Sequence, residues 1–262
     1  MSESPVKTRL YVTEDLKPEA RLRLAAPASH HLVTVLRAKA GESVALFNGK
    51  DGEWSAKILR AERKGADLRV EKQRRPQSRE PDLWLAFAPV KRAKTDLIAE
   101  KATELGASRL LPVMSERCIA ERVKIARLES IAREAAEQCG RLSLPEIVEP
   151  ATLAVLLEDW PGGTRLFFCD EAGGAPPLLE AAQDAGSGPL GLLVGPEGGF
   201  SPAERERLSA HPDVVPVSLG DRILRAETAA IAALAILQAT HSHARDDLPS
   251  RAAVSKCLAT ER

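Results

Sequence analysis

The sequence predicts an α/β protein, in which a parallel sheet covered by helices on both faces follows a small β-barrel. Three observations carry that prediction. Residues 1 to 75 hold short strand-like runs split by glycine turns. A polar, proline-bracketed stretch follows, Arg74-Arg75-Pro76-Gln77-Ser78-Arg79-Glu80-Pro81. Beyond it, short apolar runs alternate with helical stretches to near residue 245. Strands that alternate with helices pair in parallel, because each return crossover needs a helix's length of chain.

In the first part the strand-like runs are Thr8–Val12, Ser43–Phe47, Trp54–Leu59 and Asp67–Val70. Turn signals such as Ala40-Gly41-Glu42 and Asn48-Gly49-Lys50-Asp51-Gly52 separate them. His30–Arg37 reads as one short helix among them. In the second part the strands are Leu83–Val90, Arg109–Val113, Arg165–Cys169, Leu190–Val194 and Val214–Ser218. The helices between them are Lys94–Leu105, Lys124–Cys139, Pro177–Asp184 and Pro202–Ser209, with a last Ala-, Ile- and Leu-rich helix from Glu227 to His243. The expected division is therefore a barrel at 1–75, a linker at 76–81, an α/β domain at 82–245 and a polar tail at 246–262.

Hydrophobic residues make up 44% of the 262 positions and aromatics only 3%, so the core must be Leu, Ile, Val and Ala. No apolar run reaches the length of a membrane span, and the start of the chain has no signal-peptide pattern. The four cysteines, Cys118, Cys139, Cys169 and Cys257, are scattered and form no C-x-x-C pair. They read as reduced thiols in a cytoplasmic protein that holds no metal and meets no membrane. Net charge is zero but unevenly spread: residues 1–75 hold 16 Lys and Arg against 10 Asp and Glu. A basic front end points to a polyanionic partner; a solvated basic face is the other reading.

Chemistry concentrates in two loops. Gly195-Pro196-Glu197-Gly198-Gly199 follows one strand and Leu219–Thr228 follows the next. Ligands of open α/β sheets sit beyond the carboxyl ends of strands, and glycine lets a ligand approach the backbone. Neither loop is a dinucleotide fingerprint or a phosphate loop, and no nucleophile elbow is present. One such loop reads as a tight turn with a helix cap; two in successive units point to a cofactor pocket.

The stretches LLVGPEGGFSPAE (192–204) and VSLGDRILRAETAAIAAL (217–234) resemble the bacterial 16S ribosomal RNA uridine-N3 methyltransferase family, of the SPOUT class. HHLVTVLRAKAGESVALFNG, from His30, is similar to that family's PUA-like RNA-binding barrel, and KATELGASRLLPVMSERC and REAAEQCGRLSLPEI to its middle motifs. The resemblance implies a SPOUT α/β trefoil-knot domain behind the barrel, working as a homodimer. It also implies S-adenosyl-L-methionine as cofactor and 16S rRNA of the small ribosomal subunit as substrate. Leu193, Val194, Gly195, Glu197 and Gly198 would then line one side of the cofactor, and Leu219, Gly220, Ile223 and Leu224 its adenine side, with Glu227 and Thr228 beside them.

Methylation at N3 requires a splayed, unpaired uridine and stabilisation of the imide anion. Arg225 is the first catalytic candidate, a cation placed to bind the uracil carbonyls or a phosphate. Glu197 reads as a base, a sulfonium partner or a loop brace, and Glu227 as a pocket carboxylate or a helix cap. The resemblance brings in Gln138 and Arg141 as site-wall or substrate contacts, where a solvated helix face is the plainer reading. Arg37 and Arg9 are the expected phosphate contacts of the barrel, with His30 and Lys39 flanking the same helical turn. A ribose 2′-O-methylating SPOUT enzyme and a non-catalytic RNA-binding protein are the alternatives.

Overall fold

The computed structural model describes residues 6–119, 122–186 and 188–242; the predicted polar tail, His243 and Cys257 lie outside the described residues. The chain divides into two compact units. The first takes in the residues up to Arg79 together with Arg133–Leu144, the second Glu80–Ala132 and the chain from Pro145 onward.

The first unit is a five-stranded sheet of β1 (Arg9–Tyr11), β2 (Arg21–Arg23), β3 (Ser43–Phe47), β4 (Glu53–Arg60) and β5 (Asp67–Arg75), in the order β1-β3-β4-β5-β2. β1 runs parallel to β3 and the other pairs are antiparallel. Register shifts between β4 and β5 bend the ladder, as bulges do. The inward positions Leu10, Val44, Leu46, Ile58, Leu68 and Val70 form its core. The expected helix at His30–Arg37 begins earlier, as α1 (Ala26–His30) running on into a π-helical turn at His31–Val35.

Residues 133–144 were expected inside the α/β domain, yet they pack in the first unit. Ala136 and Leu142 join Phe47 in a small apolar cluster, with Tyr11 and Leu144 against it. The Arg9 guanidinium donates to the carbonyls of Ala136, Glu137 and Arg141 at 2.8, 3.0 and 2.8 Å. Carbonyls at a helix end lack intrahelical partners, so this arginine satisfies acceptors that need one. A contact spanning more than a hundred residues leaves no mark on local periodicity.

The second unit is a seven-stranded, all-parallel sheet. In chain order its elements are β6 (Leu83–Phe87), α2 (Arg92–Glu104), β7 (Arg109–Met114), the part of α3 (Ile125–Cys139) before Arg133, β8 (Glu146–Ile147), β9 (Ala151–Thr152) and α4 (Leu153–Glu158). They continue with β10 (Arg165–Cys169), α5 (Leu178–Gln183), β11 (Leu190–Val194), α6 (Pro202–Ala210), β12 (Val214–Val217) and α7 (Ala226–Ser242). Strand order is β12-β10-β11-β6-β7-β8, with β9 beside β7. Alternation sorts the faces. Leu83, Leu85, Phe87, Leu192 and Val194 face Ile98 of α2, Leu178 of α5 and Leu234 of α7. Trp84, Ala86, Leu193 and Phe168 face Leu157 of α4, Leu208 of α6 and the buried Trp160. β11 inserts between β10 and β6, and from the outer strand β12 the chain returns to lay α7 on β11 and β6. Among the described residues, no helix is long and apolar enough to cross a membrane.

Candidate active site

At the carboxyl ends of β10, β11 and β12 lies a cleft of about 850 Å³. Both glycine loops border it: Val194, Gly195, Glu197 and Gly198 on one side, Leu219, Gly220, Ile223, Leu224 and Arg225 on the other. Leu193, Glu227 and Thr228, expected with them, are not in its lining. Leu193 points its side chain into the core on the opposite sheet face, because neighbouring strand residues alternate. A third side was missed, the loop after β10 with Asp170, Glu171, Gly173 and Gly174. The signal was present, since this strand too ends in paired glycines.

The loops are held by packing and by buried polar contacts. A Cβ on Gly195 would stand 2.8 Å from the Phe200 ring, and one on Gly199, whose φ is +65°, would run into the Glu171 carboxylate. Two of the glycines that look cofactor-driven in sequence are thus required by the protein's own packing. Ser201 and Glu204 form a capping box at the start of α6. Glu204 is only 6% exposed, and its second carboxylate oxygen accepts from the backbone N–H of Glu116 at 2.9 Å. The turn so anchored carries Arg117, whose Nη1 donates to the Gly198 carbonyl at 3.0 Å. On the missed side, Arg205 pairs with Asp170, reaches Glu171 at 3.3 Å and lies over the Phe168 ring.

Electrostatics choose among the roles left open. Lys94, in the first turn of α2, lies 2.9 Å from Glu197 and 3.4 Å from Glu227. Its hydrogen bond to Glu197 raises the ammonium's pKa above the usual 10.5 and holds the Glu197 carboxyl below its usual 4.5. A carboxylate stabilised in its ionised form is a poor proton acceptor, so this geometry fits the loop-brace role and not the base. Lys94 had no sequence signal of its own, since only folding brings it to the glycine loop. Glu227 Oε1 faces Lys94, while its Oε2 is buried with no hydrogen-bond partner among the described residues. Burial pushes the Cys169 thiol up to about 12, so it lines the cleft as a neutral wall. Arg225 is exposed, has no ion pair among the described residues, and has its carbonyl fixed by the Ala229 N–H at 2.8 Å. The lining holds the acids Asp170, Glu171, Glu197 and Asp221 with Arg222 and Arg225, and the first three acids are already paired, two with Arg205 and one with Lys94.

In the first unit the expected phosphate contacts divide. Arg9 is a correction: its side chain is 10% exposed, stacks 4.5 Å from the Phe47 centroid and bonds Glu53 at 2.7 Å besides the three carbonyls. Burial pushes the Glu53 carboxyl up, but Arg9 and Arg75 more than offset this and hold it below its usual value. Arg9 is thus part of a buried ionic network and is not presented to a ligand. Arg141 is likewise buried, at 8%, whereas Gln138 is exposed. His30, Arg37 and Lys39 are all exposed. Arg37 has φ +52°, and the Ala38 N–H bonds the Leu32 carbonyl at 3.0 Å, a left-handed helix cap that aims Arg37 outward. Among the described residues, no group of three or more His, Cys, Asp or Glu side chains is placed to hold a metal ion.

A parallel α/β sheet with glycine loops at its carboxyl edge, behind a small barrel, matches known proteins at two levels. The class comes first. Residues 77–238 match the family model described as an RNA methyltransferase domain, and residues 24–71 match an RNA methyltransferase PUA domain. The fold is that of the SPOUT methyltransferases, with a PUA-like unit ahead of the α/β domain. The Rickettsia conorii protein named ribosomal RNA small subunit methyltransferase E is 32% identical over 239 residues, covering 91% of this chain and 98% of that protein. The Neisseria gonorrhoeae protein of the same name, solved bound to S-adenosyl methionine, is 30% identical with a TM-score of 0.80, covering 88% of this chain and 97% of that one. A Legionella pneumophila protein solved with the cofactor SAM bound is 32% identical with the same TM-score of 0.80 and the same coverage. The chain belongs to the ribosomal RNA small subunit methyltransferase E family.

Proposed function

We propose that this protein transfers a methyl group from S-adenosyl-L-methionine to N3 of a uridine in the 16S rRNA of the small ribosomal subunit, in the cytoplasm. The observation that carries the reading is the convergence of the two glycine loops on one cleft with the exposed Arg225 at its lip. S-adenosyl-L-methionine, when bound, supplies a sulfonium methyl to an in-line nucleophile. Val194, Gly195 and Gly198 flank the methionine part through backbone, and Leu219, Ile223 and Leu224 give an apolar side for the adenine.

N3 gives its proton to solvent water and attacks the methyl carbon, the S–C bond breaks with its electron pair left on sulfur, and the sulfur becomes neutral. No strong acid is therefore required. The carboxylate nearest the loop, Glu197, is tied to Lys94 and is a weak base. That favours a nucleophile whose proton is acidic, such as an imide N–H, over a ribose hydroxyl. Arg225 stabilises the resulting imide anion at a uracil carbonyl oxygen. His30, Arg37 and Lys39 hold phosphates at the barrel, and Gln138 is a further exposed RNA contact. Ile223, 84% exposed at the cleft lip, is covered by a second copy of the chain in a homodimer.

Mapping methyl groups on 16S rRNA from a strain lacking this gene tests the reaction. Loss of one N3-methyluridine is expected; loss of a ribose methyl instead would overturn the assignment. Arg225→Ala is expected to lower kcat by about 10²–10³, the scale of one lost anion-stabilising donor, with S-adenosylmethionine binding kept. Light scattering giving a monomer at working concentration would remove the dimer.

A further inference from the structure

We propose that a second cleft, between the N-terminal ends of α2 and α3, holds backbone phosphates of the RNA beside the methyl-donor cleft. It measures about 240 Å³ and is lined by five cations, Lys91, Arg92, Arg122, Lys124 and Arg127, against one carboxylate, Asp96. Arg127 already takes both oxygens of Asp96, at 2.8 and 2.6 Å. No carboxylate among the described residues pairs with Lys91, Arg92, Arg122 or Lys124.

Both helices also point their positive ends here. Lys91 stands at the cap position of α2 without a side-chain cap, and neither α2 nor α3 has an acidic residue in its first turn. Stable helix starts carry acids, so cations in this place add to the dipole's positive charge and favour a bound anion. The methyl-donor cleft cannot serve a polyanion in this way, since acids outnumber bases in its lining. The two clefts share structure. The turn that places Arg117 on the Gly198 carbonyl continues into Ile119 of the second cleft. One turn of α2 beyond Lys91, Lys94 grips Glu197 of the glycine loop. A strand of RNA held at the second cleft is thereby indexed to the loop that presents the methyl group.

The inference rests on RNA being the substrate, and the test separates the two. The variant Lys91→Gln/Arg92→Gln/Lys124→Gln is compared with wild type on unmethylated small subunits from a strain lacking the gene. Its KM for the subunits should rise at least about tenfold near physiological salt, and the slope of log affinity against log salt should fall by about 0.7–0.9 for each phosphate contact removed. S-adenosylmethionine affinity, by calorimetry, should match wild type, and Lys91→Arg/Lys124→Arg should restore the slope. A triple variant with wild-type KM and slope overturns the inference. Should the triple variant also lose cofactor affinity, Arg122→Gln alone carries the test, and an unchanged salt slope there overturns the inference equally. If wild type itself neither binds S-adenosylmethionine nor methylates the subunits, the proposed function falls. Filter retention of labelled 16S rRNA against salt still reads the second cleft in that case.

Discussion

Replacing Glu204 with alanine tests how the glycine loop is held in place. Glu204 is 6% exposed and accepts two backbone hydrogen bonds, from Ser201 at 2.8 Å and Glu116 at 2.9 Å. Alanine removes both acceptors and keeps the Ser201 hydroxyl cap on the residue-204 N–H. A hydrogen bond to a charged group contributes about 1.5–3 kcal/mol, so the loss is about 3–6 kcal/mol. For a unit of this size each kcal/mol moves Tm by about 2–4 °C, which puts the fall on the order of 6 °C or more. Glu204→Gln retains one acceptor and should lose about half as much. Function should follow stability, because the Glu116 anchor positions Arg117 on the Gly198 carbonyl. Differential scanning calorimetry and S-adenosylmethionine titration on both variants provide the measurements. A Glu204→Ala protein within about 2 °C of wild-type Tm, or with wild-type cofactor affinity, would refute the reasoning.

Four further outcomes are expected. Glu197 is held below 4.5 by Lys94, so its contribution to loop order is present above that pH and is lost as pH falls through the lowered value. Lys94→Met returns the carboxyl toward 4.5, so cofactor affinity should decline at a higher pH than in wild type; superimposed acid limbs would contradict this. Gly199→Ala places a side chain at φ +65° and against Glu171, costing about 1–2 kcal/mol of backbone strain before any clash, so cofactor affinity should drop about tenfold. Arg9→Ala leaves Glu53 buried without its closest partner and should destabilise the first unit by about 3–5 kcal/mol. Arg37→Ala should instead leave Tm nearly unchanged and reduce the salt slope of RNA binding by about 0.7–0.9; if Arg9→Ala alone changes that slope, the two roles are exchanged.

Much of this protein is local and could be read without coordinates. Short apolar runs and helical patterns located β6, β7, β10, β11 and β12 and the helices between them. The capping residues Ser201 and Glu204 are a start signal for α6 written in adjacent sequence. The two glycine loops were legible for the same reason, since a turn's backbone demands are met by its own residues. Short elements such as β8, β9 and α4 escaped, because two to six residues carry too little pattern.

What only the tertiary structure decided concerns charges brought together from distant places. The same guanidinium chemistry makes Arg9 a buried structural hub and leaves Arg37 exposed, and no local pattern separates them. Lys94, silent in sequence, defines the state of Glu197. The cations of the second cleft lie on two helix starts that strand order places side by side. Hydrophobic periodicity is a property of neighbours in the chain, whereas an ionisable group's role depends on burial and on partners that only the closed fold supplies.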